Sequence, residues 1–302
     1  MTRQTVYKER GYLPMTILEA ILQGIIQGLT EFLPVSSSGH LSIFQHFFGI
    51  NGDTAVTMTL VLHLGTLIAV FVAFWERIKK LILEFFSMVK DIFTGKFSFK
   101  NMNAERNMIC MIVVSILPLF IFYIFKDFFS NLASDGSIIA EGIGFLYTSG
   151  ILFLCTSKAC MNGTRTCGDV TARAALFIGV FQGIALVPGI SRSGSTIAAS
   201  TIAGLKRDEA VDYSFILGIP VILAGSLVSL ADMGETSETV GILPLAISFV
   251  VAAVSGYFAI RLIKLLVMSD KFRVFAYYTL VLGAVILGIS IYEAVSGNVV
   301  SF

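Results

Sequence analysis

Six stretches of this chain run close to the width of a bilayer almost without charge, and nothing else in the sequence restricts the fold as much. They are 55–75, 108–125, 142–157, 211–230, 241–260 (extending toward 267) and 274–292. A helix needs about 20 mostly apolar residues to cross the hydrocarbon core. There it must satisfy its own backbone hydrogen bonds, which a helix does within one segment. Only 14% of the 302 residues are charged and 56% are hydrophobic, whereas soluble proteins carry about 25% charged residues. The chain therefore reads as an all-α polytopic membrane protein, a single membrane domain over 1–302.

A net charge of +1 excludes the basic field that nucleic-acid binding requires. Cys110, Cys155, Cys160 and Cys167 show no CxxC pair and no metal-type spacing with histidine. They read as buried small hydrophobes. The N-terminal stretch MTRQTVYKERGYLP is polar. The apolar run after it lacks a small-residue cleavage site and holds Gln23, Gln27 and Glu31, so a cleaved signal peptide is not expected.

Two broken segments match at a fixed offset of 155 residues: GIIQGLTEFLPVSSSGH from Gly24 and GVFQGIALVPGISRSGS from Gly179. Gly24, Gln27, Gly28, Ser36, Ser38 and Gly39 recur as Gly179, Gln182, Gly183, Ser191, Ser193 and Gly194. Downstream, Gly49, Asp53 and Ala55 meet Gly204, Asp208 and Ala210. Apolar bias does not supply a spaced set of Gly, Gln, Ser and Asp. The chain thus divides into repeat one, about 15–160, and repeat two, about 170–296. Interrupted segments at matching places in two halves point to a binding site where the repeats meet.

Charge sets the expected topology. Positive residues crowd 76–106, 158–173, 206–207 and 264–273, while 127–141 and 232–238 carry Asp127, Asp135, Glu141, Asp232, Glu235 and Glu238. Positive loops stay cytoplasmic. That pattern fits six transmembrane helices plus two re-entrant helical hairpins, the first entering from outside and the second from inside, in two inverted-topology repeats. Arg3, Lys8 and Arg10 would then lie outside, against the trend.

The polar residues of the hairpins suit anion chemistry. Gln27 and Glu31 share a helix face at i, i+4 among apolar neighbours. A carboxylate at membrane depth is a functional candidate; otherwise it sits at a wetted interface or pairs structurally with an arginine. Pro34 ends that helix. Ser36, Ser37 and Ser38 then offer hydroxyls and amides to an anion, and His40 can move protons or bind a metal. In the second hairpin Ser191, Arg192, Ser193 and Thr196 crowd together, and the arginine fork suits phosphate. At offset 155 Arg192 stands opposite Ser37, so one loop supplies nucleophile, acid and base and the other supplies positive charge. Phosphoryl transfer needs such positioning and charge stabilisation. His46 reads as interfacial, His63 as a helix-contact histidine, and Asp53 and Asp208 as caps or first-turn charges.

QGLTEFLPVSSSGH and PGISRSGST resemble the two signature motifs of the undecaprenyl-diphosphatase (bacitracin resistance) family, across both halves of the chain. The resemblance implies a multi-pass enzyme of the bacterial inner membrane with an outward-facing active site. It would hydrolyse undecaprenyl diphosphate to the monophosphate and phosphate, recycling the lipid carrier of cell-wall synthesis. Implied catalytic residues are Glu31, Ser37, His40 and Arg192; implied substrate-binding residues are Gln27, Ser36, Ser191, Ser193 and Thr196. Gln27 stands where many members have glutamate. Glu31, with Gln27 as a weaker partner, would then carry any divalent cation, Mg²⁺ or Ca²⁺. The nucleophile is Ser37 or a water assisted by His40. Implied partners are the lipid diphosphate and the bilayer, with a homodimer possible in principle. The rival class is an inverted-repeat transporter or flippase of a lipid phosphate or other anion. The phosphatidic acid phosphatase type also uses an SGH element, but needs a second histidine and an aspartate after its SR element, and SRSGSTIAASTIAG offers neither.

Overall fold

The computed structural model describes residues 15–50, 52–99, 102–129, 137–157, 160, 162–232, 240–268, 270–298 and 300. Arg3, Lys8, Arg10, Lys100, Asp135, Lys158, Glu235 and Glu238 lie outside the described residues. Among the described residues the regular elements are helices, joined by one isolated parallel bridge between Arg165 and Leu205. In chain order they are α1 (Ile17–Phe32), α2 (Ser37–Phe48), α3 (Gly52–Ala73), α4 (Trp75–Phe93), α5 (Ala104–Tyr123), α6 (Ile139–Cys155), α7 (Ala172–Ile184), α8 (Arg192–Ile202), α9 (Arg207–Asp232), α10 (Ile242–Met268) and α11 (Arg273–Ser296).

Five of these, α3, α5, α9, α10 and α11, are long and apolar enough to cross a membrane. The sixth expected span, 142–157, is α6, a shorter apolar helix of 17 residues, or about 26 Å at 1.5 Å per residue. Its first turn carries Glu141, which is fully buried. The basic stretch 76–106 contains α4, a helix that the apolar runs did not announce. Ile78 and Leu81 turn inward, while Leu83, Phe86 and Phe93 are exposed. Arg106 on α5 fastens it through Glu84, Ser87 at 3.1 Å and Asp91 at 2.6 Å.

The offset of 155 reappears in the local structure. Thr16 caps α1 and Thr171 caps α7; Ser36 caps α2 and Ser191 caps α8. Ser36 Oγ accepts from Gly39 N at 3.2 Å, and Ser191 Oγ accepts from Gly194 N at 3.0 Å. The helices α3 and α9 start 155 residues apart as well. Asp208 falls in the first turn of α9, as expected.

Each hairpin leans on the other half of the chain. Helix α1 packs along α10, and a Cβ on Gly28 would lie 1.9 Å from Ser255 Oγ. Helix α7 packs along α5, and a Cβ on Gly183 would lie 2.2 Å from Phe122. Gly24 faces Val251 and Gly179 faces Ser115 one turn earlier on the same seams. Small residues four apart let backbones approach where lipid supplies no hydrophobic drive. In the core, Phe32 at the end of α1 meets Phe215 of α9 edge-on at 5.2 Å, and Phe215 meets Phe74 at 6.0 Å. Arg77 binds Glu209 at 3.0 Å and Asp212 at 2.7 Å, and Lys264 binds Asp212 at 2.8 Å. These ion pairs tie α4, α9 and α10 together.

Candidate functional site

Glu31 is the hub of the polar centre. A capping box of Thr16 and Glu19 starts α1, and Pro34 follows its last turn, so Glu31 is carried to the buried end of the helix. It is 6% exposed. Its Oε2 accepts from Gln27 Nε2 at 3.0 Å and from Ser37 Oγ at 2.6 Å. Its Oε1 accepts from Arg192 Nη2 at 2.5 Å. One carboxylate thus bridges the hydroxyl of the first hairpin and the guanidinium of the second. The arginine that pairs with Glu31 is the one on the opposing loop, 161 residues away.

The turn into α2 is strained. Ser36 has φ +70°, the one non-glycine residue with positive φ among the described residues. Such conformations cluster at functional sites. Its partner at offset 155, Ser191, has φ −71°, so the strain belongs to the first hairpin alone. Both α2 and α8 begin at the site. Helix N-termini carry partial positive charge and free N–H groups, which suit an anion.

Arg192 is held from α9. Its Nη1 donates to Ser214 O at 3.4 Å, and Gly218 one turn on leaves room for the guanidinium, since a Cβ there would lie 2.2 Å from Nη1. These bonds use two of the five N–H groups of the fork. Thr196 Oγ1 meets Ser214 Oγ at 2.6 Å and donates to Arg192 O at 2.9 Å, so it braces α8 against α9. Ser193 Oγ donates to Leu33 O at 3.2 Å, joining the two hairpins directly. Ser36 and Ser191 serve as helix caps. The structure therefore brings Gln27, Glu31, Ser37, Arg192 and Ser193 together, with Ser36, Ser191 and Thr196 as supports.

His40 points elsewhere. Its Nδ1 lies 2.7 Å from Ser36 O and its Nε2 lies 2.7 Å from Tyr278 Oη. A carbonyl only accepts, so Nδ1 carries the proton and, in the neutral ring, Nε2 accepts from the Tyr278 hydroxyl. The rings of His40 and Tyr278 stack at 5.7 Å, and Phe145 packs edge-on at 5.2 Å. Ser37 and His40 stand at i, i+3, on adjoining faces of α2.

Three residues at the site carried no sequence signal: Tyr278, Ser214 and Gly218. His63, read as a helix-contact histidine, meets α1 from α3, its Nε2 facing Glu31 Oε2 at 3.8 Å. His46, expected at a membrane interface, is buried within the protein and pairs with Glu293 at 3.0 Å. Its closeness to the loop in sequence hid the arrival of α11.

No group of three or more His, Cys, Asp or Glu side chains that could hold a metal ion occurs among the described residues. The centre nonetheless holds two hard oxygen donors, the Glu31 carboxylate and Gln27 Oε1, the latter buried without a hydrogen-bond partner among the described residues. Both are of the oxygen type that magnesium and calcium take.

Fold and centre together define a polytopic helical membrane protein with a carboxylate–serine–arginine cluster between two broken hairpins. The chain belongs to the bacitracin resistance protein BacA family, whose pattern matches residues 20–285. It is 42% identical over 275 residues to an undecaprenyl-diphosphatase of Halothermothrix orenii, covering 90% of this chain and 98% of that protein. It is 38% identical over 275 residues to one of Alkaliphilus metalliredigens, with the same coverage. An undecaprenyl-diphosphatase of Methanosphaera stadtmanae is 34% identical over 280 residues, covering 92% of this chain and 99% of that protein.

Proposed function

We propose that the chain hydrolyses undecaprenyl diphosphate to the monophosphate and inorganic phosphate, recycling the lipid carrier for cell-wall synthesis and conferring bacitracin resistance. The observation that carries this reading is the Glu31 carboxylate, bonded at once to Ser37 Oγ–H and to Arg192. A serine is a weak nucleophile until a neighbouring base takes its proton. Glu31 is placed to take it. Arg192 and the N-termini of α2 and α8 hold the diphosphate and stabilise charge on the transferring phosphoryl group. The attacking oxygen is Ser37. His40, one turn along α2 and oriented by Tyr278, serves the leaving side. A divalent cation held by Glu31 and Gln27 Oε1 would neutralise diphosphate charge when bound.

The same reading assigns six spans, two re-entrant hairpins and two inverted repeats, with the site opening outward in the inner membrane. The exchanged packing of α1 on α10 and α7 on α5, the shared offset of 155 and the loop charges support it. Purified protein should release phosphate from a long prenyl diphosphate, with activity reduced by chelator and lost in Glu31→Gln. A carrier without phosphatase activity would release none.

A further inference from the structure

We propose that α4 is an in-plane docking surface for anionic phospholipid, set at the membrane face from which α5 and α9 start. This docking is independent of the reaction at the centre. Phe74, with φ −116° and ψ 18°, leaves helical values between α3 and α4, so the chain turns as it leaves the span. Arg77 then donates to Glu209 and Asp212 on the first two turns of α9. Further along, Glu84 and Asp91 accept from Arg106 on the first turn of α5. Those two helix starts stand at one level, because the turn at 167–170 ties them. Cys167 N donates to Glu209 Oε2 at 2.8 Å, and Asn107 Nδ2 donates to Gly168 O at 2.8 Å and to Val170 O at 2.9 Å. From Arg77 to Asp91 a helix covers about 21 Å at 1.5 Å per residue. Continued along the bilayer normal, it would climb away from that level. Helix α4 stays on it and so lies in the plane of the membrane.

Projected down its axis, α4 divides in two. The apolar half runs from Met88 round to Phe86 and the polar half from Lys79 round to Arg77, with Leu83 the single exception. Ile78 and Leu81 in the apolar half are buried against the protein. Trp75, Ile82, Phe86 and Phe93 are not. They fall within about 40° of one another on the helix and are 43–86% exposed. The stripe carries on from Ile68 and Val72, which are exposed at the end of α3. The apolar surface that a span turns to lipid therefore bends with the chain and continues along α4.

The charges on the polar half select the lipid. Arg77 is spent on α9, and Glu84 and Asp91 turn inward onto Arg106. Lys79, Lys80 and Lys90 are exposed and enter no ion pair among the described residues. Glu76 is the one acid of α4 left beside them. Lys79 and Lys90 stand where the apolar stripe gives way to the polar half. From there a lysine stem lies along apolar surface and lifts its ammonium to headgroup level. A helix of this build sinks its apolar face about 5–10 Å into the boundary of headgroups and chains, and lysines at that depth attract anionic headgroups. Trp75 sits where α3 leaves the hydrocarbon, the level at which tryptophan collects.

Trp75 is the one tryptophan of the chain, so its emission reports on this stripe. The full chain is placed in nanodiscs of phosphatidylcholine in which a minor share of the lipid carries brominated acyl chains. That share is either phosphatidylglycerol or phosphatidylcholine. Brominated phosphatidylglycerol should quench Trp75 about twofold more than the same share of brominated phosphatidylcholine, and the excess should fade as salt is raised. Bromines high on the chain should quench more than bromines near its end. The triple variant Lys79→Gln, Lys80→Gln, Lys90→Gln should quench equally with both lipids while its melting temperature stays at the wild-type value, since the three side chains are exposed. Equal quenching by the two lipids in the wild type would overturn the proposal, as would an excess that survives in the triple variant. Stronger quenching by the deep bromines would overturn the in-plane placement. No quenching by either lipid would overturn the lipid contact and leave the stripe to a second copy of the chain.

Discussion

Gly218→Ala should separate catalysis from folding. A Cβ at 218 would stand 2.2 Å from Arg192 Nη1, 3.0 Å from Cζ and 3.1 Å from Nη2. Van der Waals contact needs about 3.5 Å, so the guanidinium must retreat by about 1.3 Å. The neighbour that gives way is the free end of a flexible side chain, so the backbone of α9 need not move. An alanine also favours the helix by up to about 1 kcal/mol over glycine. Thermal stability in a fixed detergent should stay within a few degrees of wild type, or rise. Arg192 would pay in position. Its bond to Glu31 at 2.5 Å is charge-assisted and contributes about 1.5–3 kcal/mol. A misplacement of about 1 Å costs on the order of 100-fold in rate. Phosphate release from a prenyl diphosphate should therefore fall about 100-fold while the melting curve holds. Turnover within about threefold of wild type, in a folded variant, would refute the role of Arg192 as a clamp seated on α9. Loss of both stability and turnover would mean that Gly218 serves packing alone.

Ser37→Ala removes the donor to Glu31 and the attacking oxygen together; turnover should fall by about 1000-fold or more, and survival near the wild-type rate would move the attack to water. Tyr278→Phe takes away the hydroxyl at His40 Nε2 and should lower kcat about tenfold without changing the melting temperature; an unchanged kcat would leave Tyr278 a packing residue. His46→Ala strands Glu293, whose remaining bond is from Val300 N at 2.8 Å. Losing a hydrogen bond to a buried charged group costs about 1.5–3 kcal/mol, so the melting temperature should drop while the turnover of the folded fraction is kept; equal stability would mean that the bond is idle.

The polar hairpins were legible because their residues are costly in an apolar chain. Glu31, Ser37 and Arg192 stood out for that reason, and the offset of 155 placed the arginine opposite the serine. The hydrogen bonds through Glu31 bear that placement out. Long apolar runs announced five spans for a similar reason, since uninterrupted length is a strong signal. What stayed hidden depends on which helices meet. His63 and Tyr278 lie in spans whose neighbours are apolar whether they face lipid or protein, so no periodicity marks the inward side. Gly218 matters only once Arg192 arrives from α8. The partner of His46 stayed hidden because Glu293 lies 247 residues further on. Helix α4 was missed because its charges, spread among apolar residues, broke the run that length alone would recognise.

The seam between α1 and α10 sets a waiting time during synthesis. Gly24 and Gly28 need Val251 and Ser255, and the ribosome reaches α10 about 210 residues after it finishes α1. At about 5–20 residues per second, that gap lasts roughly 10–40 s. For that interval Gln27 and Glu31 sit on a helix without its groove, and Arg192 arrives late in the same window. A nascent chain stalled before α10 should thus be the form most open to membrane quality control. The two halves made as separate chains should each be short-lived, and should survive only when made together.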